Sequence, residues 1–125
     1  MYKVLLVGCG HMGTALINSW LNLSSYSFTV VDPYNYKKIK NKFKRKKIDI
    51  LNKVPNQKEM KTFDFIIFAV KPQIAANVLL EYKNFAFKKN IVISSIIAGK
   101  KIDFFKKKLK NANQFVRIMP NMPAL

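Results

Sequence analysis

Residues 2–13 read YKVLLVGCGHMG, a short apolar run that leads into three glycines spaced as G-x-G-x-x-G. The run contains β-branched residues and does not alternate with polar ones, which is the pattern of a strand buried on both faces. From His11 to about Leu23 the apolar side chains recur every three or four residues, and this spacing predicts a helix. A glycine motif between such a strand and such a helix is typical of a dinucleotide-binding turn.

The three glycines have separate expected tasks. Gly8 permits the tight turn, Gly10 lets a diphosphate approach backbone amides, and Gly13 lets the helix pack close to the sheet. Asp32 ends the second predicted strand, 19 residues after Gly13, where a carboxylate would accept hydrogen bonds from the adenosine ribose. Such a carboxylate repels a 2′-phosphate, so NADH is slightly favoured over NADPH, although the lysines from Lys37 onward soften this preference. The alternative is a glycine turn with a helix-capping aspartate.

Strand-like and helix-like segments alternate along the rest of the chain. Further strands are predicted at 27–32, 48–51, 63–70, 90–96 and 114–119, and further helices at 34–47, after Pro72 and at 102–110. The inner face of the helix after Pro72 is predicted to comprise Ile74, Ala75, Val78, Leu79 and Tyr82. The region around Pro55 and Asn56 is predicted to be a loop. The predicted fold class is therefore α/β, a doubly wound, Rossmann-like parallel sheet forming a single domain over residues 1–125.

The composition is strongly basic, with a formal net charge of +17 at pH 7 and 21 lysines among 23 basic residues. Lysine lacks the fixed donor fork with which arginine reads phosphates and grooves. Lys, Asn and Ile, all with A/T-rich codons, are abundant together, so we attribute most of the charge to compositional drift and expect no specific nucleic acid as a partner. A polyanion-binding protein is the less favoured alternative.

Several kinds of site and location are disfavoured by the sequence. A single cysteine excludes an internal disulfide, and one cysteine with one histidine cannot build a metal site. Cys9 and His11 occupy variable positions of the glycine motif, so a catalytic pair is less favoured and no catalytic residue is assigned. No apolar run approaches the length of a membrane span, and no secretory signal precedes the first strand. We expect a cytoplasmic protein without a membrane partner.

Four stretches carry a more specific resemblance: VGCGHMGTAL at 7–16, FAVKPQ at 68–73, SIIAG at 95–99 and RIMPNMPA at 117–124. Together they resemble the N-terminal domain of pyrroline-5-carboxylate reductase, in that family's order and at similar spacing. The resemblance implies a Rossmann domain that binds NADPH or NADH. It also implies a reaction in which the coenzyme's hydride reduces 1-pyrroline-5-carboxylate to proline.

The resemblance implies a set of cofactor-binding residues. Those at the diphosphate would be Gly8, Cys9, Gly10, His11, Met12 and Gly13, with Asn56 near the adenosine ribose and phosphate. Ala69, Val70, Lys71 and Pro72 would line the cofactor at the end of the fourth strand. Ser95, Ala98, Gly99, Met119, Pro120 and Asn121 would lie beside the nicotinamide. Each has a plain alternative, for example Lys71 as a solvated residue or Pro120 as a strand terminator.

Family members continue past the MPNxPA motif into a helical domain that forms the dimer and supplies most of the substrate pocket. This helical dimerisation and substrate domain is absent from the 125 residues, and an exposed apolar seam at Met119, Met122, Pro123 and Leu125 is expected in its place. The expected function is the cofactor-binding half of the reductase, completed by a separate helical chain. The alternatives are a non-catalytic NAD(P)-binding module and a decaying reductase fragment. A β-hydroxyacid or imine reductase is less favoured.

Overall fold

The computed structural model describes residues 1–118. In chain order its elements are β1 Tyr2–Val7, α1 His11–Trp20, β2 Tyr26–Val31, α2 Tyr36–Lys42, β3 Asp49–Leu51, α3 Gln57–Met60, β4 Phe65–Phe68, a 3₁₀ turn Pro72–Ile74, α4 Ala75–Leu80, β5 Val92–Ser95, α5 Ile102–Lys108 and β6 Phe115–Arg117.

Within residues 1–118, six strands form one parallel sheet in the order β3-β2-β1-β4-β5-β6. β1 lies at the centre, where Val7 pairs with Val31 of β2 on one side and with Phe68 of β4 on the other. The chain first builds outward from β1 to β3 and then crosses to build outward from β4 to β6. This reversal opens a crevice at the carboxyl ends of β1 and its neighbours, where doubly wound sheets bind ligands. The predicted fold class is confirmed.

Helices cover both faces of the sheet, and this explains the unbroken apolar run of β1. Val4 and Leu6 pack with Ile17 of α1 and Ile39 of α2. The alternate residues Leu5 and Val7 face the opposite layer, since successive side chains of a strand point to opposite faces. The main buried residues of that layer are Met60, Phe63, Ile66, Phe68, Ala75, Leu79, Tyr82, Ile93, Phe105 and Leu109.

Two segments differ from the sequence prediction. The predicted helix at 34–47 is limited to α2, Tyr36–Lys42. Tyr34 and Asn35 precede it in a turn held by Asp32. The basic run 44–47 follows it, where like charges four residues apart, such as Lys40 with Lys44 and Lys42 with Lys46, disfavour further helix. The loop predicted around Asn56 instead starts the one-turn helix α3, because Asn56 Oδ1 accepts a hydrogen bond from Glu59 N–H at 2.8 Å.

The turn after β1 depends on Gly8. Its φ of +90° is a backbone conformation that L side chains rarely adopt. A Cβ at this position would lie 2.8 Å from Val70 Cγ1 and 2.9 Å from the carbonyl oxygen of Ala69. The first turn of the motif therefore presses directly against the segment that follows β4.

We predict that Gly8→Ala lowers the free energy of unfolding more than Gly99→Ala does. Gly99 is a matched control because it also has positive φ, +74°, but its added Cβ would meet no described atom within 4 Å. Gly99→Ala should cost about 1–2 kcal/mol from backbone conformation alone. Gly8→Ala should cost about 1–3 kcal/mol more because of the overlap with Ala69 and Val70. Urea denaturation of both variants measures the difference, and equal losses would contradict the close packing at Gly8.

Candidate functional site

An open cleft of about 510 Å³ lies at the carboxyl ends of β1, β2 and β4. This is the crevice that the strand order predicts, and its volume is in the usual range for small-molecule sites. Seven of the residues predicted from the sequence line it: Gly8, Cys9, Gly10, Asp32, Ala69, Val70 and Lys71. They come from three separate stretches of the chain, which the sheet brings together.

The first turn of α1 borders the glycine loop and comprises His11, Met12 and Gly13. Among residues 1–118, no side chain caps this turn, and Gly10 occupies the N-cap position. The first backbone N–H groups of a helix have no intrahelical partner, and the helix dipole places partial positive charge beside them. A Cβ on Gly10 would meet no described atom within 4 Å, so the backbone there faces open space. The residues present therefore fit a bound diphosphate.

Gly13 fixes how close α1 comes to the glycine loop. A Cβ at Gly13 would lie 2.9 Å from the carbonyl oxygen of Gly8 and 3.5 Å from Leu6 Cδ2. The helix therefore packs directly on the turn that precedes it. A larger residue would move the first turn of α1 away from the cleft.

Asp32 is 5% exposed, and its carboxylate accepts four hydrogen bonds from within the chain. Oδ1 accepts from the backbone N–H groups of Tyr34 and Asn35, each at 3.0 Å. Oδ2 accepts from Cys9 N–H at 2.7 Å and from the side-chain amide of Asn35 at 3.0 Å. The structure differs from the helix-capping alternative predicted for Asp32, because Asn35 is the N-cap of α2 and no side chain among residues 1–118 caps that helix. Asp32 instead holds the turn that precedes α2, and it forms a link to the glycine loop that the sequence did not predict.

Cys9 and His11 lie in different surroundings. The Cys9 side chain is buried among apolar residues, with Sγ 3.5 Å from Thr14 Oγ1, whereas His11 is exposed. Burial raises the pKa of the Cys9 thiol, so the thiol stays protonated and is a poor nucleophile at neutral pH. In the part of the chain that the structure describes, no cluster of His, Cys, Asp and Glu could hold a metal ion.

The remaining predicted residues lie outside the cleft lining. Asn56 is exposed and caps α3, and Pro72 begins the 3₁₀ turn that leads into α4. Ser95 is buried at the end of β5, where its Oγ accepts a hydrogen bond from Ile97 N–H at 3.0 Å. Ala98 and Gly99 are exposed in the turn that follows. Met119, Pro120 and Asn121, like the predicted seam at Met122, Pro123 and Leu125, lie outside the described residues.

One wall of the cleft was not predicted as part of the site. It is formed by Val54, Ile74, Asn77, Val78, Glu81 and Tyr82. Ile74, Val78 and Tyr82 were predicted only as the inner face of a helix. The available signal was the spacing of four between Asn77 and Glu81, which places two polar groups on the same side of the helix as Ile74 and Val78. This wall therefore combines the apolar side chains of Val54, Ile74 and Val78 with the polar side chains of Asn77 and Glu81.

Tyr82 lies at the base of this wall. It is 1% exposed and packs edge-on against Phe68 with ring centroids 5.3 Å apart. Within residues 1–118 its hydroxyl has no hydrogen-bond partner. Burial raises the pKa of the phenol, so Tyr82 is neutral at physiological pH.

No helix within residues 1–118 combines the length and the apolar character needed to cross a membrane.

Comparison with known proteins agrees with this geometry. Residues 3–99 match the model of the family described as "NADP oxidoreductase coenzyme F420-dependent". Among curated proteins, the chain is 32% identical over 125 residues to the pyrroline-5-carboxylate reductase of Pasteurella multocida and 29% identical over 122 residues to that of Methanosarcina acetivorans. Each alignment covers 98% of this chain but 45% of the relative, so the chain spans less than half of their length.

Solved structures give the same result. The pyrroline carboxylate reductase of Plasmodium falciparum with NADP bound superposes with a TM-score of 0.72 at 25% identity, covering 96% of this chain and 42% of that one. The reductase of Coxiella burnetii superposes with a TM-score of 0.79 at 21% identity, which supports the fold alone. The predicted resemblance to the dinucleotide-binding part of pyrroline-5-carboxylate reductase is confirmed, and the chain belongs to the NADP oxidoreductase, coenzyme F420-dependent, family.

Proposed function

We propose that this chain is the coenzyme-binding part of a pyrroline-5-carboxylate reductase and holds NADPH or NADH in the cleft between β1, β2 and β4. The observation that carries the proposal is the start of α1. There, uncapped backbone N–H groups meet open space at Gly10, in a chain similar to a reductase solved with NADP bound. An anionic diphosphate is the ligand that such a helix start accommodates best.

The rest of the cleft supports one orientation of the coenzyme. Its adenosine half would lie toward the end of β2 and the wall formed by Val54, Ile74 and Val78. The reactive half would then extend across Ala69 and Val70 toward the end of β5, where Ser95 is placed. This orientation keeps the roles predicted for Lys71, Ala98 and Gly99 as part of the proposal. The preference for NADH that the sequence favours also stays a prediction.

The proposed reaction transfers a hydride to the imine carbon of 1-pyrroline-5-carboxylate. The two electrons of the C=N double bond move to nitrogen, which carries a proton, and the product is L-proline. The reduced nicotinamide supplies the hydride when bound. The residues of this chain would position the diphosphate, and Val54, Ile74 and Val78 would give the coenzyme apolar contacts. A protonated imine is already electrophilic, so the chain needs no residue that acts as a general acid.

We also propose that a helical partner chain completes the substrate pocket. The curated relatives are more than twice as long as the segment that this chain matches, and the cleft is open on one side. An open cleft leaves the substrate hydrated and poorly oriented, which lowers its effective concentration beside the coenzyme.

Gly10→Val should abolish most of the coenzyme affinity without unfolding the chain. The valine side chain would occupy the space in which the diphosphate approaches the backbone, and losing charge-assisted hydrogen bonds of about 1.5–3 kcal/mol weakens binding about 10- to 100-fold. Its Cβ meets no described atom within 4 Å, so the melting temperature should stay close to that of the parent chain. Calorimetric titration with NADPH and with NADH measures both affinities.

Ser24→Val is the control for Gly10→Val. It adds a valine to an exposed turn before β2. This turn lies at the amino ends of the strands, whereas the cleft lies at their carboxyl ends, so both coenzyme affinities should stay unchanged. A Gly10→Val variant that binds NADPH as tightly as the Ser24→Val variant would remove the basis of the proposed site.

The proposed reductase activity has its own test. In the presence of 1-pyrroline-5-carboxylate, the rate of NADPH oxidation with the chain alone should equal the rate measured without protein. Fusion to the portion of the Pasteurella multocida reductase outside the matched segment should raise the rate about 100-fold or more, because the substrate is then held in position. Rapid turnover by the chain alone would refute the need for a helical partner. A fusion that binds NADPH but stays inactive would favour a non-catalytic NAD(P)-binding module.

A further inference from the structure

Asp32 sits where dinucleotide-binding folds place the acidic residue that hydrogen-bonds the ribose, but its surroundings differ from what that role requires. An ionised carboxylate has about four lone-pair sites for hydrogen bonds. At Asp32 four donors from within the chain already occupy them, two on each oxygen. A ribose hydroxyl could be accepted only by displacing one of these donors.

The shortest of the four bonds joins Asp32 to the glycine loop. Cys9 N–H donates to Oδ2 at 2.7 Å, and both residues are buried. The Cys9 N–H belongs to the Gly8–Cys9 peptide, so this bond fixes the peptide one residue ahead of Gly10, the open N-cap of α1. The other oxygen holds the turn of Tyr34 and Asn35, which forms the adjoining rim of the cleft.

We propose that Asp32 is a positioning residue that joins the glycine loop to the β2–α2 turn, and that the choice between NADH and NADPH does not depend on its charge. The inference rests on the proposed function, since it concerns how the same cleft holds its coenzyme. Four donors directed at one carboxylate offset its negative charge locally, and Asp32 is only 5% exposed although it lines the cleft. The exposed groups nearest in the chain, Tyr34 of the rim at 82% exposure and the exposed lysines Lys37 and Lys38 in the first turn of α2, would be the ones available to a 2′-phosphate.

The two roles of Asp32 predict different affinities. A positioning residue affects both coenzymes alike, because the diphosphate is common to them. Asp32→Asn places an amide donor among the four donors, so it disturbs the loop and should weaken NADH and NADPH by similar factors, with their affinity ratio changed less than about threefold. A residue that selects by charge would instead shift the ratio at least about tenfold in favour of NADPH.

The experiment is calorimetric titration of the parent chain, Asp32→Asn and Asp49→Asn with NADH and NADPH. Asp49 is the matched control, since it is an exposed acidic residue on the adjacent strand β3 and its substitution removes the same charge. We expect Asp49→Asn to match the parent chain and Asp32→Asn to lose both affinities together. A ratio that shifts tenfold toward NADPH in Asp32→Asn alone would overturn the inference.

Two measurements on the parent chain keep the inference testable if Asp32→Asn does not fold. The parent chain should bind NADH no more than about threefold more tightly than NADPH, in keeping with the slight preference expected from the sequence, and a tenfold preference for NADH would overturn the inference. Its Cys9 amide should exchange with deuterium more slowly than the amides of Gly10 and His11 when no coenzyme is present, and equally fast exchange would also overturn it. A parent chain that binds neither coenzyme but protects Cys9 would refute the proposed function while leaving the loop contact intact.

Discussion

The structure depends on one constraint, the need to turn from the central strand into the first helix without covering the first amides of that helix. Three glycines meet this constraint in different ways. Gly8 adopts a positive φ beside Ala69 and Val70, the two residues that follow β4. Gly13 lets α1 pack closely against the turn, and Gly10 leaves open space in front of the backbone. Because β1 is paired on both sides, this turn is placed at the centre of the sheet's carboxyl edge. The location of the cleft and the anion binding that we propose there both follow from it.

Asp32 links this turn to the next one. Its carboxylate accepts hydrogen bonds from Cys9 in the glycine loop and from Tyr34 and Asn35 after β2. The two turns that border this side of the cleft are therefore held by the same buried side chain. The wall opposite is supplied by Ile74, Val78 and Glu81, from the segment that follows β4. The cleft is therefore assembled from three loops, each held by a different part of the sheet. Such an arrangement suits the extended coenzyme that we propose.

Much of the fold could be predicted from the sequence because its signals are local. The apolar runs of β1 and β4, the glycine spacing and the alternation of strands and helices define the sheet and its switch point. The start of α3 was missed although Asn56 and Glu59 carry the spacing of a capping motif, since Pro55 suggested a loop. The helix at α2 was predicted to continue beyond Lys42 because apolar periodicity alone does not register the repulsion between lysines four residues apart.

The site was less predictable than the fold because its contacts are between distant residues. Glycine spacing located one side of the cleft, but the bond from Cys9 to Asp32 spans 23 positions and depends on how two turns approach each other. The polar positions of the opposite wall, Asn77 and Glu81, resemble ordinary exposed residues of a helix until the sheet places them beside the glycine loop. The family resemblance predicted which residues bind the coenzyme, whereas the hydrogen-bond partners of those residues are visible only in the structure.

We propose that a dinucleotide's diphosphate lies on the bare amides at the start of α1. Titration of the ¹⁵N-labelled chain with NADPH tests this contact, with each backbone amide resonance followed by nuclear magnetic resonance. We expect the largest shifts at Gly10, His11 and Met12, and we expect these shifts to saturate together. Shifts confined to the lysine-rich segment 37–47, with no change at the start of α1, would contradict it and would indicate attraction of the coenzyme to a basic surface.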